Sequence, residues 1–508
     1  MKKSSVSTYL RTSGKIASWT MISRILGFIR DLVFANFFGA GPVLDAFLVA
    51  FKIPNYMRRF FSEGALTQAF IPIYTNILGI NTNKAKAIAT QTALLLGTFL
   101  LLLTAIVILK PQWFIQLFAW GLIYDPERFN LACQMIQWTF PFLFCIALTT
   151  LFSGVMNTHN IFSLPAFLPT ILNITLITAA LSPISNISLG LKVAMSVSLA
   201  GIIQLTIAYM GASKFLSYDR NWDWPTLKKI FLGMAIILGG ATFSQINTIF
   251  DTIFASFLPR GSISWLYYAD RLNHLPIGVV AVSISTLLLP KLSSSINNKD
   301  KPLVRKQIQW GIQMILVGTI PCVTMLALFG KQIVICLFFH GTFSNNDVHM
   351  TSMALMAMAI GLPAFMFNKL LNTIFYAHKQ IKRPTYIACF CAIFSICLNI
   401  VLVPLYHHVG IALTSSISAW IQCLTLFHFA FKNDWIQIDG TLFKKWCLSF
   451  LGSVITLWLI KLVSPHTSWW LQHATIYRFE LLTLICIIFL GNYFLQLKFI
   501  GLKKQLKL

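Results

Sequence analysis

Ser23-Arg24-Ile-Leu-Gly-Phe-Ile-Arg30-Asp31 sits inside an apolar run that begins near Ile16 and ends near Phe38. About 20 apolar residues cross a bilayer as one helix, so this stretch puts two guanidinium groups and a carboxylate at membrane depth. A charge there costs roughly 3 kcal/mol or more, and is kept only where it faces a wet or protein-lined cavity. The stretch therefore predicts a membrane-spanning chain with a polar interior. No small-residue cleavage site follows a clean apolar core, so the run is not a removable signal peptide.

The rest of the chain agrees. Of 508 residues, 57% are hydrophobic and 10% are charged, with mean hydropathy +0.74; soluble domains carry about a quarter charged residues. Hydropathy gives fourteen spans. They lie near residues 15–38, 43–75, 88–110, 131–154, 164–183, 192–212, 228–257, 263–290, 306–329, 349–377, 385–404, 409–431, 446–463 and 479–497. The net charge of +25 invites a nucleic-acid reading, but the cations sit in short clusters between apolar runs. The ten cysteines fall in apolar segments without disulfide or zinc spacing.

Counting the 39 Lys and Arg by loop gives 25 on the N-terminal side and 7 on the other. The positive-inside rule then places both termini in the cytoplasm of a bacterial inner-membrane protein. Seven cations remain at membrane depth: Arg24, Arg30, Lys52, Arg58, Arg59, Arg271 and Lys369. Five acids join them: Asp31, Asp45, Glu63, Asp251 and Asp270.

The chain also repeats itself. Asp31-Leu-Val-Phe-Ala-Asn-Phe-Phe-Gly-Ala-Gly41 matches Asp251-Thr-Ile-Phe-Ala-Ser-Phe-Leu-Pro-Arg-Gly261 at an offset of 220 residues. His159 to Pro165 matches His378 to Pro384, and Ala50-Phe-Lys52 matches Ala269-Asp-Arg271, both at 219. Six spans per period keep the copies in one orientation, a parallel repeat that permits alternating access by rocking lobes. The expected fold is all-α: two six-helix lobes, 1–215 and 216–435, and an appendage of two helices and a tail, 436–508. A duplication kept for folding alone is the plainer reading.

Most of the intramembrane charge falls on the first two helices of each copy, which are expected to line a central cleft. Arg24, Gly27 and Asp31 share a helix face; a structural ion pair of Asp31 with either arginine is the alternative. Pro54 is expected to break the second span. Beyond it, Arg59 and Glu63 stand at i, i+4, leaving Arg58 for a ligand unless both arginines snorkel to the interface. Asp270 and Arg271 lie about 100° apart on their helix. Ser244, Asn247, Thr248 and Asp251 form a polar stripe that either binds a cation or solvates the cleft. The excess of arginine suits a phosphate-bearing anion. No GxxxxGK[ST] motif, zinc-protease motif or nucleophile elbow is present, so an enzyme is not expected.

Ser23 to Asp31, Asp45-Ala-Phe, the run Phe51-Lys-Ile-Pro-Asn-Tyr-Met-Arg-Arg-Phe-Phe-Ser-Glu-Gly-Ala-Leu-Thr-Gln-Ala-Phe70, Ser262-Ile-Ser-Trp-Leu-Tyr-Tyr-Ala-Asp-Arg271 and Lys369 resemble the MurJ/MviN family. The likeness runs over essentially the whole chain. Members are lipid II flippases of the multidrug/oligosaccharidyl-lipid/polysaccharide exporter superfamily. The resemblance implies fourteen helices and transfer of lipid II, undecaprenyl-diphosphate-disaccharide-pentapeptide, to the periplasmic leaflet for peptidoglycan synthesis. It implies Arg24, Arg30 and Arg271 in the cavity, and Asp31, Arg58, Arg59 and Glu63 near a cytoplasmic gate. Asp45 falls in a matched position. Substrate contact is expected from Arg24, Arg30, Arg58, Arg271 and Lys369, and gating or ion pairing from Asp31, Asp45, Arg59, Glu63 and Asp270.

The chain departs from the family in two places. Leu272-Asn273-His274 lacks the acid that often follows the Asp-Arg motif, and Val403 stands one turn after Asn399, where sodium-binding relatives have an acid. A candidate sodium site therefore rests on Asp251, Asn399 and Thr414, and no other cofactor is expected. Expected partners are lipid II, membrane lipids and cell-wall synthesis machinery, without nucleic acid. The alternatives are a multidrug or other polysaccharide-lipid exporter, an intramembrane transferase that modifies a polyprenyl diphosphate, and a non-transporting scaffold.

Overall fold

The structure, a computed structural model, describes residues 3–58, 66, 68–437 and 440–502, with the side chains of 3–13 and 238–245 outside the description. Among the described residues all regular structure is helical. The contacts divide the chain into two units, Met1–Gly261 and Ser262–Leu508. The first holds α1 (Lys3–Phe38), α2 (Pro42–Arg58), α3 (Ile71–Leu78), α4 (Thr82–Leu109), α5 (Pro111–Phe118), α6 (Pro126–Thr139), α7 (Pro141–Thr158), α8 (Ser163–Leu181), α9 (Leu189–Ala212) and α10 (Trp224–Ser256). The second holds α11 (Ser262–Pro276), α12 (Val282–Asn297), α13 (Lys301–Phe338), α14 (Asn345–Ala377), α15 (Lys382–Lys432), α16 (Gly440–Val463), α17 (Thr467–Gln472) and α18 (Thr475–Phe499). Grouped by contact, α10 falls with the first unit, whereas the sequence repeat assigns it to the second copy; the two partitions measure different things.

Ten helical segments among the described residues are long and apolar enough to cross a bilayer. One of them, α15, supplies two spans. His407 has φ 50° and ψ −132°, which no helix tolerates. Ser418 Oγ then donates to the Cys391 carbonyl at 3.0 Å, 27 residues back, where a straight helix would separate them by about 40 Å. The chain has doubled back. Outside these segments, α1, α2, α3 and α10 fall on the first, second and seventh of the spans expected from hydropathy, in keeping with a multi-pass membrane protein.

Prolines inside these helices are tolerated because partners take the carbonyls they orphan. The expected break at Pro54 does not occur, since α2 continues to Arg58. Pro54 cannot donate to the Ala50 carbonyl, and Thr139 Oγ1 of α6 donates to it instead at 2.9 Å. In α13, Pro321 leaves the Val317 carbonyl to Tyr493 of α18, whose hydroxyl donates at 3.2 Å. Y493F leaves that buried carbonyl unsatisfied, and thermal unfolding in detergent should show a loss of about 1–3 kcal/mol. Tyr493 also packs with Ile320, Leu442, Trp446 and Leu497, which fixes the C-terminal helices to α13.

The repeat is visible in the contacts within each unit. Asn81 caps α4 and Asp300 caps α13; Asp125 caps α6 and Ser344 caps α14, both pairs 219 residues apart. Ser198 Oγ donates to the Trp138 carbonyl, and Ser416 Oγ to the Ala357 carbonyl. Asn160 and Lys379 both take positive φ, at 62° and 60°. Each follows a histidine stacked on an aromatic ring: His159 on Phe215 at 3.8 Å and His378 on Trp435 at 3.9 Å.

These histidines have a pH consequence. Burial lowers the His159 pKa from its ordinary value, and Lys86 and Lys214 lower it further; burial does the same to His378. Both favour the neutral ring when folded. The stability they contribute is present above the unfolded pKa of about 6.5 and is lost as pH falls below it toward the folded values. Unfolding temperature should therefore drop between pH 7.5 and 5.5, and H159F/H378F should flatten that slope.

Candidate cationic site

In the first unit, α1 brings Arg24 to an exposed position and buries Arg30 and Asp31. Arg30 Nε and Nη2 reach Asp31 Oδ1 at 3.0 and 2.7 Å, and Nη1 donates to Asn173 Oδ1 of α8 at 3.1 Å. Asn173 Nδ2 in turn donates to the Ser23 carbonyl at 3.0 Å. Gly27 faces the same asparagine, and a Cβ there would lie 3.7 Å from its amide. Arg30 thus belongs to a buried clasp between α1 and α8, while Arg24, on the same helix, is accessible.

The α2 cations meet α10. Lys52 Nζ donates to Thr252 Oγ1 at 3.5 Å, and the Tyr56 hydroxyl lies 3.3 Å from the Thr248 carbonyl and 3.2 Å from Thr252 Oγ1. Asp251 is half-buried beside this seam, and the Asn247 amide oxygen is buried without a hydrogen-bond partner. Arg58 closes α2, with Nε on Asn55 Oδ1 at 3.0 Å. Arg59 and Glu63 lie outside the described residues.

Asp45 has another setting. It is 0% exposed at the first turn of α2 and accepts from the Gly261 N–H at 2.7 Å and Arg128 Nη1 at 3.4 Å. Arg128 also binds Asp125 Oδ2 at 2.8 Å and the Leu258 carbonyl at 3.2 Å. Asp125 takes Arg260 at 2.8 and 2.9 Å, and Arg260 reaches Glu127 at 2.7 Å. The Arg260 hydrogen bonds, aided by Arg128, hold the Asp125 carboxyl below the usual carboxylate range. Position 347, 219 residues after Arg128, holds the opposite charge and makes the equivalent bond. Asp347 accepts from Trp265 Nε1 of α11 at 2.8 Å and from the Ser344 N–H at 2.9 Å. In each unit the second helix of the repeat is thus bolted to the fourth.

In the second unit, α11 carries Asp270 and Arg271 on an accessible face. Arg271 Nη2 donates to the Tyr267 hydroxyl at 3.3 Å and its guanidinium stands 4.8 Å over that ring. Asp270 pairs with His274 at 3.2 Å. Lys369 is exposed on α14. The sequence reading missed Arg128, counted there as a loop cation, and His274, noted only as a missing acid; the i, i+4 spacing of Asp270 and His274 was the available signal.

For sodium, Asn399 and Thr414 are buried oxygen donors on α15, and Thr414 Oγ1 has no hydrogen-bond partner. Both carry neutral oxygens, the donor type that alkali cations take where helices are interrupted. Val403 adds no ligand, and Asp251 belongs to the first unit. Among the described residues no group of three or more His, Cys, Asp or Glu forms a metal site.

Comparison with known proteins bears on the family and the fold. The profile of the family described as "Lipid II flippase MurJ" matches residues 34–479. "Probable lipid II flippase MurJ" of Buchnera aphidicola subsp. Acyrthosiphon pisum is 34% identical over 90% of both chains. The protein of that name from Vibrio cholerae is 33% identical over 99% of this chain and 98% of its own. A solved structure of "Lipid II flippase MurJ, inward closed conformation" covers 95% of this chain and 99% of its own, with TM-score 0.79 and 28% identity. An inward-facing multidrug resistance MATE family transporter shares the fold alone, at TM-score 0.65 and 12% identity over 82% of this chain and 97% of its own.

Proposed function

This chain belongs to the lipid II flippase MurJ family, and we infer from that membership and from its own cationic faces that it moves lipid II across the bilayer by alternating access. It is a transporter and not an enzyme. The observation that carries the reading is the accessible arginine on each unit, Arg24 on α1 and Arg271 on α11, together with Lys369. A guanidinium fork matches a diphosphate in charge and geometry. The rival multidrug role wants an anionic or apolar pocket for cationic drugs, and this arginine set disfavours it.

In this reading the membrane is the bacterial inner membrane, the termini are cytoplasmic, and transfer runs toward the periplasmic leaflet. Arg24 and Arg58 on the first unit, and Arg271 and Lys369 on the second, are each assigned to contact with the substrate, while the prenyl chain stays in lipid. Arg30 and Asp31 hold α1 in place through α8 and so support Arg24. Arg59 and Glu63 are assigned to the cytoplasmic gate with Arg58. Moving one charge through the potential is worth about 2.3 kcal/mol per 100 mV, so an inside-negative potential favours return of the emptied, net-positive site to the cytoplasmic face. A coupled sodium ion would take its oxygens from the second unit, where Asn399 and Thr414 are buried. Partners beyond lipid II are membrane lipids and, in peptidoglycan assembly, the synthases that consume the flipped precursor. The test is leaflet accessibility of lipid II after rapid depletion of the protein: flipping at the normal rate in its absence defeats the reading, and accumulation in the cytoplasmic leaflet supports it.

A further inference from the structure

The turn that doubles α15 back on itself carries two histidines in unlike settings. His407 takes φ 50° and ψ −132°, a conformation that glycine adopts freely and that strains a residue with a Cβ. Such a residue persists only where its surroundings hold it. His408 supplies the hold. Its side chain is buried, Nε2 donates to the Met350 carbonyl of α14 at 3.0 Å, and the ring packs tilted against the buried Trp265 of α11, with centroids 5.0 Å apart. Trp265 Nε1 donates in turn to Asp347 of α14 at 2.8 Å. The turn has no slack, because a Cβ on Gly410 would run into the Leu402 carbonyl. All these groups lie in the second unit.

A carbonyl oxygen only accepts, so Nε2 carries the proton of the neutral ring and Nδ1 is bare. Protonation adds a charge and a second N–H, at Nδ1, to a buried imidazole. Among the described residues the titratable groups around it are Asp347 and His349 from α14 and His407 from the turn, while α11 contributes the indole. Asp347 is already engaged by Trp265 Nε1 and by the Ser344 N–H and hydroxyl. Burial pushes the His408 imidazole below its ordinary value, against the Met350 bond, and His407 and His349 push it further down.

From this geometry we propose that His408 is a pH-sensitive latch on the periplasmic end of α11: the neutral ring ties Trp265 to the turn of α15, and a proton releases it. The word periplasmic rests on the orientation inferred above; the latch does not. The folded ring favours the neutral form, so the hold is complete above the unfolded pKa of about 6.5 and is lost as pH falls below it toward the folded value. Release also lets His407 leave its strained conformation, so the opening is local. The helix that presents Arg271 is thereby coupled to the acidity of one face of the membrane.

The experiment is hydrogen–deuterium exchange of the full-length protein in nanodiscs, where both faces meet the buffer, at pH 7.5 and 5.5. It is read as protection factors, which correct for the chemical pH dependence of exchange. In the native chain protection of 262–268 and 404–412 should fall together at pH 5.5 by about tenfold, where one proton permits at most about a hundredfold over two units. Protection of α13 should not change. H408Q keeps an N–H for the Met350 carbonyl without a titrating group, and should hold both segments protected at either pH. H408F keeps the packing against Trp265 and should be equally flat, at a lower protection. H349Q should retain the native slope. Native protection that is flat with pH overturns the latch, and so does a native slope that survives in H408Q and H408F. Orientation is tested apart, by labelling single cysteines at the termini of intact cells: termini reached from outside overturn the periplasmic placing and leave the latch measured in nanodiscs standing.

Discussion

R271Q will fail to move lipid II to the outer leaflet in cells depleted of the native protein, at normal protein level and with unchanged helix content. The side chain is exposed and donates to the Tyr267 hydroxyl of the same helix, so its removal opens no cavity in the core. A hydrogen bond between two charged partners contributes about 1.5–3 kcal/mol, which is roughly a 10- to 150-fold loss of affinity for each one removed. A bidentate contact loses both. R271K separates charge from geometry: the ammonium keeps the attraction but not the planar fork, and should leave partial transfer. Y267F removes the hydroxyl that steadies the guanidinium and should cost less than either. Native flipping rates in R271Q, measured by leaflet accessibility, would remove the clamp from the mechanism.

Much of this site was legible because membranes make charge conspicuous. Arg271 and Lys369 were found by asking which cations the loops could not account for, and the structure exposes both. The hairpin at His407 was legible for a related reason, since the apolar run dips between its two halves and no single span needs the 51 residues of α15. Pairing was harder. Arg30 and Asp31 point about 100° apart on their helix, and only the length of the arginine side chain lets it curl back to its neighbour. Its third contact, with Asn173, spans 143 residues, which helical spacing cannot reveal. The break expected at Pro54 failed for the same reason: the hydroxyl that takes the orphaned carbonyl comes from Thr139, 89 residues on. Local rules name the group left unsatisfied. Tertiary structure decides who satisfies it.

Arg128 shows what a loop count hides, and its removal should have the largest effect on stability. It was assigned to solvent by position, yet its side chain is 5% exposed and that of Asp45 is 0% exposed. Two buried charges are expensive to desolvate, and deleting one partner of such a pair typically costs about 3–5 kcal/mol because the other remains uncompensated. R128M keeps most of the volume and removes the charge, taking away the guanidinium that faces the buried Asp45 carboxylate while the Gly261 N–H still donates to it. It also releases one of the two arginines on Asp125, whose contact with Arg260 is more exposed and contributes less. Thermal unfolding in detergent should fall accordingly. D45N in the R128M background replaces the buried carboxylate by a neutral amide that can still accept from Gly261, so the double variant should recover most of the loss. Were the double variant no more stable than R128M, the cost would lie in the Asp125 and Leu258 contacts. Were R128M as stable as the native chain, the bolt between α2 and α6 would contribute nothing to the fold. The repeat supplies an internal comparison, because the equivalent bolt in the second unit is an aspartate bonded to a neutral indole. W265F should cost only the one hydrogen bond to a charged group, about 1.5–3 kcal/mol, so the first unit's clasp should prove the more sensitive of the two.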